Sequence, residues 1–296
     1  MLFGRYVILF LRQKTSSRLI NIMEKSISDL FDLAGEVAIV TGGLGQLGRQ
    51  YVQTLVGAGA AVAIFDIRDA ASPELAGLVN EKNVIVVKAD ITKKDEVTAG
   101  FQTVIGALGV PTILVNNAGL DSPPHAPTSD NGPFEDFSEA SWDAVIDSHL
   151  KGMLFMSQEF IRAARKAGKQ GSIINISSTY GVVAPDQSLY DFRRKDGEEF
   201  YKPVAYSVAK SGVLNFTRWL AEYGARWGIR ANTLVPGGRF ANQPQEFLKE
   251  YNRRTMLGRM ANADEYNAVI LFLASNKASS YMTGSMLVID GGWTAR

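Results

Sequence analysis

Short apolar runs and longer amphipathic stretches alternate along most of the chain. The runs are VAIV (37–40), AVAIF (61–65), VIVV (84–87), ILV (113–115), SIINI (172–176), ANTLV (231–235) and MLVI (286–289). Unbroken apolarity over three to five residues fits strands covered on both faces, where a half-solvated strand would alternate. The stretches between them are long enough for helices. RQYVQTLVGAGA (49–60) ends in two helix-stopping glycines, and WDAVIDSHLKGMLFMSQEFIRAARKAG (142–168) and VAYSVAKSGVLNFTRWLAEYGARWG (204–228) are longer. This alternation predicts an α/β chain with a doubly wound parallel sheet of about seven strands and helices on both faces. Trp142, Leu150, Leu154 and Phe155 on the second helix, and Phe216, Trp219 and Leu220 on the third, are expected to pack into the core.

No internal repeat, low-complexity tract or linker divides the chain, so residues 33–296 are expected to form one domain behind an extension, 1–32. The first 22 residues carry Arg5, Arg12, Lys14 and Arg18, no acid, and the run YVILFL, which is far too short to span a membrane. They read either as a targeting segment or as an upstream extension of a chain whose ordinary start is Met23.

Composition narrows the partners. Lys plus Arg number 31 against 30 for Asp plus Glu, which gives no cationic excess for nucleic acid or an anionic membrane, so a small-molecule substrate is expected. The absence of cysteine rules out disulfides and thiolate metal sites and suits a cytoplasmic location. His125 and His149 are the only imidazoles, so neither a metal site nor a Ser-His-Asp triad is expected.

Directly after the first run comes TGGLGQLG (41–48). Its Gly42, Gly45, Gln46, Leu47 and Gly48 stand where a strand turns into a helix, a place where bare backbone can approach a pyrophosphate at the positive end of the helix dipole. Asp66 closes the second run, 18 residues past Gly48. A carboxylate there accepts hydrogen bonds from ribose hydroxyls and repels a 2′-phosphate, which favours NAD over NADP; Arg68 nearby softens that preference. YSVAK (206–210) sets Tyr206 and Lys210 on one helical face. A phenol ordinarily titrates near ~10, and an adjacent ammonium favours its ionised form.

Five further segments, ADIT (89–92), NNAG (116–119), GSIINISS (171–178), VPGG (235–238) and SSYMTGSMLVIDGG (279–292), follow in a set order with these two. On them the chain after Leu33 resembles the short-chain dehydrogenase/reductase family, whose single-domain branch has a Rossmann fold. The resemblance implies that Asp90 and Ile91 contact adenine, that Asn117, Ala118, Gly119, Pro236 and Gly237 border the nicotinamide half of the cofactor, and that Lys210 also holds the nicotinamide ribose. Tyr206 is then the general acid/base and Ser178 a donor to the substrate oxygen, with Ser177 structural. Three departures stand out. His149 replaces the family's asparagine in SHLKG, where an imidazole titrating near neutrality has the chemistry for a proton relay. Gln46 replaces a middle glycine, which implies a locally rearranged phosphate turn, and Ala241 stands where a threonine is customary.

Ser178 and Tyr206 are 28 positions apart, and the insert at 184–203 is expected to shape the substrate site. Either its Tyr190, Arg193, Arg194 and Lys195 meet a polar, anionic ligand, or its charges cancel against Asp191, Asp196, Glu198 and Glu199 on a solvated loop. The insert, with PGGRFANQPQEF and YNRRTMLGRMA, resembles a bacterial subgroup acting on sugars, sugar acids or polysaccharide precursors. NAD(H)-linked oxidation or reduction of a hydroxyl or ketone on such a substrate is therefore expected, in a homo-tetramer or homo-dimer. A ketoacyl- or steroid-type ketone is the runner-up, and a dinucleotide-binding scaffold without turnover is the alternative of another class.

Overall fold

In a computed structural model that describes residues 26–69, 73–79, 83–122, 131–195 and 197–296, the chain runs α1 (Ile27–Phe31), β1 (Val37–Thr41), α2 (Gln46–Gly57), β2 (Ala61–Asp66), α3 (Pro73–Ala76), β3 (Val84–Lys88) and α4 (Lys94–Ala107), then β4 (Ile113–Asn116), α5 (Glu139–Ile146), α6 (Gly152–Ala167), β5 (Gly171–Ile176), α7 (Asp191–Lys195) and α8 (Val204–Ala225), and finally β6 (Ile229–Pro236), α9 (Gln245–Arg254), α10 (Asn267–Ala274) and β7 (Met286–Ile289). Of the extension only 26–32 is described, and His125 lies outside the described residues.

All seven apolar runs are strands of one parallel sheet, ordered β3-β2-β1-β4-β5-β6-β7. Every residue of β1, β4, β5 and β6 is buried, which is why those runs show no alternation. Successive side chains nevertheless point to opposite faces. Val40, Ile64, Val115, Ile174 and Leu234 pack with Tyr51, Leu55 and Ile270 of α2 and α10. Ile39, Ala63, Leu114, Ile173 and Ala231 pack with Phe101, Met156, Phe160 and Leu220 of α4, α6 and α8. At ~1.5–3 kcal/mol for each large apolar side chain buried, these two layers are what hold the helices to the sheet. A smaller cluster of Leu189, Tyr190, Phe200, Phe247, Tyr251 and Met260 roots the 184–203 insert against α9.

The single helix expected over 142–168 is instead two, α5 and α6, joined by a π-helical turn at Asp147–Lys151. A wide turn holds one more residue than an α turn and changes which later positions face inward. Met156, Phe160, Ile161 and Ala164 are residues of α6 that pack with the sheet, while Leu154 is 39% exposed. Trp142, Leu150 and Phe155 are only partly buried. On α8, Leu220 is buried and Phe216 partly so, but Trp219 is 59% exposed and stacks on Tyr223 at 5.1 Å. Phe216, Tyr223 and Trp227 pack against the edge of the second core layer and, with the exposed Leu154 and Trp219, line an outward groove.

Under the site, a buried polar ladder ties three strands to two helices. Asn116 Nδ2 donates to Asn175 Oδ1 at 2.8 Å and to Ser157 Oγ at 3.3 Å, and Asn175 Nδ2 donates to Thr217 Oγ1 at 2.9 Å. Thr233 Oγ1 donates to Thr217 Oγ1, which in turn donates to the Val213 carbonyl, each at 2.8 Å. Asn175→Ala removes the 2.8 Å acceptor of Asn116 and one donor to Thr217 in a dry interior, leaving Asn116 only its longer bond to Ser157. The expected cost is about 2–3 kcal/mol, read as a lower urea midpoint with an unchanged slope.

Candidate active site

The carboxyl ends of β1 to β6 open onto one cleft of about 950 Å³. In a sheet of this topology that edge, where strand order reverses between β1 and β4, is where a ligand crevice forms. Gly42, with φ of 61°, takes a left-handed conformation that a side chain resists. A Cβ on Gly48 would stand 2.2 Å from the Gly42 carbonyl, so α2 packs directly on the turn. Thr41 Oγ1 accepts from the Asn117 and Ala118 amides at 2.9 and 3.0 Å, and Asn117 Nδ2 donates to the Thr41 and Gly42 carbonyls. The Asn117 side chain therefore braces the turn.

Gly45 caps α2 without a side-chain hydrogen bond, leaving the first amides of the helix for a ligand. Bare backbone and open helix amides fit the pyrophosphate of a dinucleotide. Gln46, in the place of the middle glycine, lays its side chain across the turn and accepts from Arg239 Nη1 at 2.7 Å. Asp66 is 6% exposed, and its carboxylate accepts from Leu44 N at 3.1 Å and from the Arg68 guanidinium at 2.9 and 3.0 Å. Although burial opposes its charge, the Arg68 and Leu44 hydrogen bonds hold the carboxyl below its ordinary range. Asp90 Oδ1 accepts from Thr92 N and Oγ1 at 3.0 and 2.8 Å, so one carboxylate oxygen is committed to a local turn.

At the far end of the cleft, β5 leads into Ser178, and α8 brings Tyr206 and Lys210 to the same wall. Lys210 is 4% exposed, and its ammonium donates to the Ile176 carbonyl at 2.9 Å. Ser177 Oγ donates to the Lys210 carbonyl at 2.7 Å, which gives Ser177 a structural task. Burial and the nearby Lys202 cation pull the Lys210 ammonium down to about 8, against the Asp121 carboxylate. The expected acidification of Tyr206 is absent from this arrangement. Burial, reinforced by Asp121, raises the phenol above its ordinary value, while its hydrogen bond with Ser178 pulls the other way. The Lys210 nitrogen stands 5.7 Å from the ring centroid with its hydrogen bond turned to β5, so desolvation outweighs it.

The π-helical turn carries His149, whose ring meets Tyr206 edge-on at 5.7 Å between centroids. A Cβ on Gly119 would lie 2.0 Å from His149 Cε1, so the imidazole fills the space that Gly119 leaves. The expectation of titration near neutrality fails for a physical reason: burial first, and Lys210 next, pull His149 down to about 3. The neutral ring donates from Nε2 to the Leu120 carbonyl at 2.8 Å, and Nδ1 is left a buried acceptor with no hydrogen-bond partner.

Gly42, Gly45, Gln46, Leu47, Asp66, Asp90, Ile91, Asn117, Ala118, Gly119, His149, Ser178, Tyr206, Lys210, Pro236 and Gly237 all line this cleft, whereas Gly48 stands behind it. Among the insert residues singled out, Tyr190 reaches the wall. Arg193 instead pairs with Glu198 and Arg194 with Asp191, so those guanidiniums close on the insert's own acids. The cation the insert does bring to the cleft is Lys202, paired with Asp121, and sequence reasoning passed over both. So too Arg239, which follows VPGG by one position.

A family model described as Enoyl-(Acyl carrier protein) reductase matches residues 45–294. Galactitol 2-dehydrogenase of Rhizobium johnstonii is 32% identical over 279 residues, covering 91% of this chain and 99% of that protein. A short chain dehydrogenase from Leptospira borgpetersenii with bound NAD+ superposes with a TM-score of 0.78 at 33% identity, covering 92% of this chain and 97% of that one. A gluconate 5-dehydrogenase from Burkholderia cenocepacia in complex with NADP and tartrate does so with a TM-score of 0.77 at 27% identity, covering 92% and 100%.

Lys210 gives this site a pH signature in stability. From about 8 upward toward 10 the unfolded chain keeps a lysine proton that the folded chain has lost, so folding is favoured increasingly as pH rises through that window. Lys210→Met removes this contribution. Denaturant titrations below and above pH 8 are expected to show a steeper gain for the native protein than for the variant.

Proposed function

The chain belongs to the short-chain dehydrogenase/reductase family, and from that premise we propose that it interconverts a secondary alcohol and a ketone on a sugar, sugar alcohol or sugar acid, with NAD(H) as its cofactor and Tyr206 as the proton donor and acceptor. That it is a nicotinamide-dinucleotide oxidoreductase acting on CH–OH groups follows from the family and its dehydrogenase relatives. The observation that carries the finer reading is the convergence of Tyr206 and Ser178 on one wall of the cleft, with the Lys210 ammonium 5.7 Å from the Tyr206 ring centroid and hydrogen-bonded to the Ile176 carbonyl.

The bound nicotinamide supplies the hydride donor or acceptor. In reduction, Tyr206 holds its proton firmly and passes it to the substrate oxygen as negative charge develops there, while the Ser178 hydroxyl donates to the same oxygen. In oxidation the proton moves the other way, and Lys210 offsets the phenolate that forms. His149, neutral, keeps the Leu120 carbonyl in place and offers Nδ1 to a hydroxyl or water.

Galactitol and gluconate in the relatives' names support a polyhydroxylated substrate. The anionic Asp66 supports NAD: ribose hydroxyls can share its oxygens with Leu44 N, whereas a 2′-phosphate must overcome its charge and recruit Arg68. The outward groove of Leu154, Phe216, Trp219, Tyr223 and Trp227 supports a homo-dimer or homo-tetramer built on α6 and α8, since an apolar surface of that kind is stabilised by a second copy. A cytoplasmic location completes the proposal.

Tyr206→Phe is expected to cut kcat by about 10²–10⁴-fold in an NADH absorbance assay over a panel of alditols and aldonates, and equal rates in the two proteins would remove Tyr206 from this role. Asp66→Asn is expected to shrink the NAD-over-NADP ratio of kcat/KM by about tenfold, corresponding to about 1.4 kcal/mol. Trp219→Glu is expected to shift the mass measured by light scattering toward the monomer.

A further inference from the structure

Lys202 is the cation that the insert delivers to the reactive end of the cleft. It immediately precedes Pro203, which caps α8, and so lies one turn ahead of Tyr206. The Gln187 side chain clamps its backbone at both ends, with Lys202 N donating to Oε1 at 2.8 Å and Nε2 donating to the Lys202 carbonyl at 3.2 Å. The side chain is only 6% exposed, and its ammonium lies 4.4 Å from the Tyr206 ring centroid. Two of its three N–H groups donate to Asp121 Oδ1 and, at 2.8 Å, to the Ser122 carbonyl. The third has no acceptor among the described residues.

Charge and exposure point the same way. Among the described residues, two buried ammoniums, Lys202 and Lys210, face one carboxylate, Asp121, and repel one another. A buried positive surplus is unfavourable until an anion meets it. Asp121 is a partner at the rim: its side chain is 55% exposed and its Oδ1 also accepts from Ser122 N at 2.8 Å, whereas the side chain of Lys202 is sunk in the wall. Tyr206, Ser178 and His149 share that wall, so a substrate whose carbinol oxygen meets Tyr206 has its nearby substituents beside Lys202.

We propose that Lys202 is a specificity-determining residue that receives the carboxylate of an anionic hydroxy-acid substrate, and that Asp121 is the resident counter-ion this carboxylate displaces. The inference rests on the polyhydroxylated-substrate reading and narrows it to its acidic members. Lys202 and Asp121 then have opposite effects on the same substrate, which a role confined to packing the Tyr206 ring does not produce.

The test compares kcat/KM for paired aldonates and alditols in the wild type, Lys202→Met, Lys202→Arg and Asp121→Asn, with calorimetric binding of gluconate to the enzyme–NADH complex as a readout free of turnover. Lys202→Met is expected to lower kcat/KM for the acids about tenfold more than for the neutral alditols and to weaken gluconate binding, with partial recovery in Lys202→Arg. Asp121→Asn is expected to lower KM for the acids several-fold, and this variant carries the test if Lys202→Met fails to fold. Equal losses on both substrate classes in Lys202→Met, or weaker acid binding in Asp121→Asn, overturn the inference. Wild-type turnover of alditols without aldonates overturns it while the polyhydroxylated reading stands. Turnover of neither class overturns both.

Discussion

An ammonium ion has to be kept dry at the end of the central strands, and much of this fold is arranged to tolerate it. Among the described residues the Lys210 ammonium has a single carbonyl, that of Ile176, as its hydrogen-bond acceptor. Isolated charges of this kind are costly to bury, and here the cost appears as an ammonium weakened to about 8. The surroundings cannot give way, because Ser177 fixes the Lys210 carbonyl and a Cβ on Gly181 would stand 2.5 Å from Ser177 Oγ. Two turns further along α8, Thr217 locks the helix to Asn175 and Thr233. The face of α8 that lines the cleft is thus positioned by a polar network whose members are nearly all paired, a requirement for any such network inside a core.

The same dryness decides the protonation states around the cleft. Desolvation raises the phenol of Tyr206 and lowers the imidazole of His149, so both are neutral across the ordinary pH range. For Tyr206 that outcome reverses what spacing alone suggests: an ammonium one helical turn away stabilises a phenolate only where its field outweighs the loss of water. A phenol kept neutral beside a serine hydroxyl suits the proton-donating role proposed for Tyr206.

The sheet could be read from the chain because strands covered on both faces leave mainly apolar runs without alternation, and β1, β4, β5 and β6 are buried throughout, the polar Asn175 and Thr233 included. The position of the cleft could be read as well, since the glycine turn and YSVAK are local patterns whose meaning does not depend on distant residues. Pairings across long separations could not. Lys202 finds Asp121 across 81 positions and Arg239 finds Gln46 across 193, with nothing in either neighbourhood to announce the partner. Nor does periodicity separate an apolar residue that faces the sheet from one that faces a groove. Leu154 and Trp219 occupy positions that look internal until the π-helical turn and the outward face of α8 are seen.

That turn also bears on how this site can change over generations. Residues 147–151 take up one residue more than a regular turn while α5 and α6 continue on either side, so a one-codon deletion there closes the helix without uprooting Met156 or Phe160 from the sheet. The imidazole beside Gly119 is therefore gained or lost by a change of length as readily as by a change of letter.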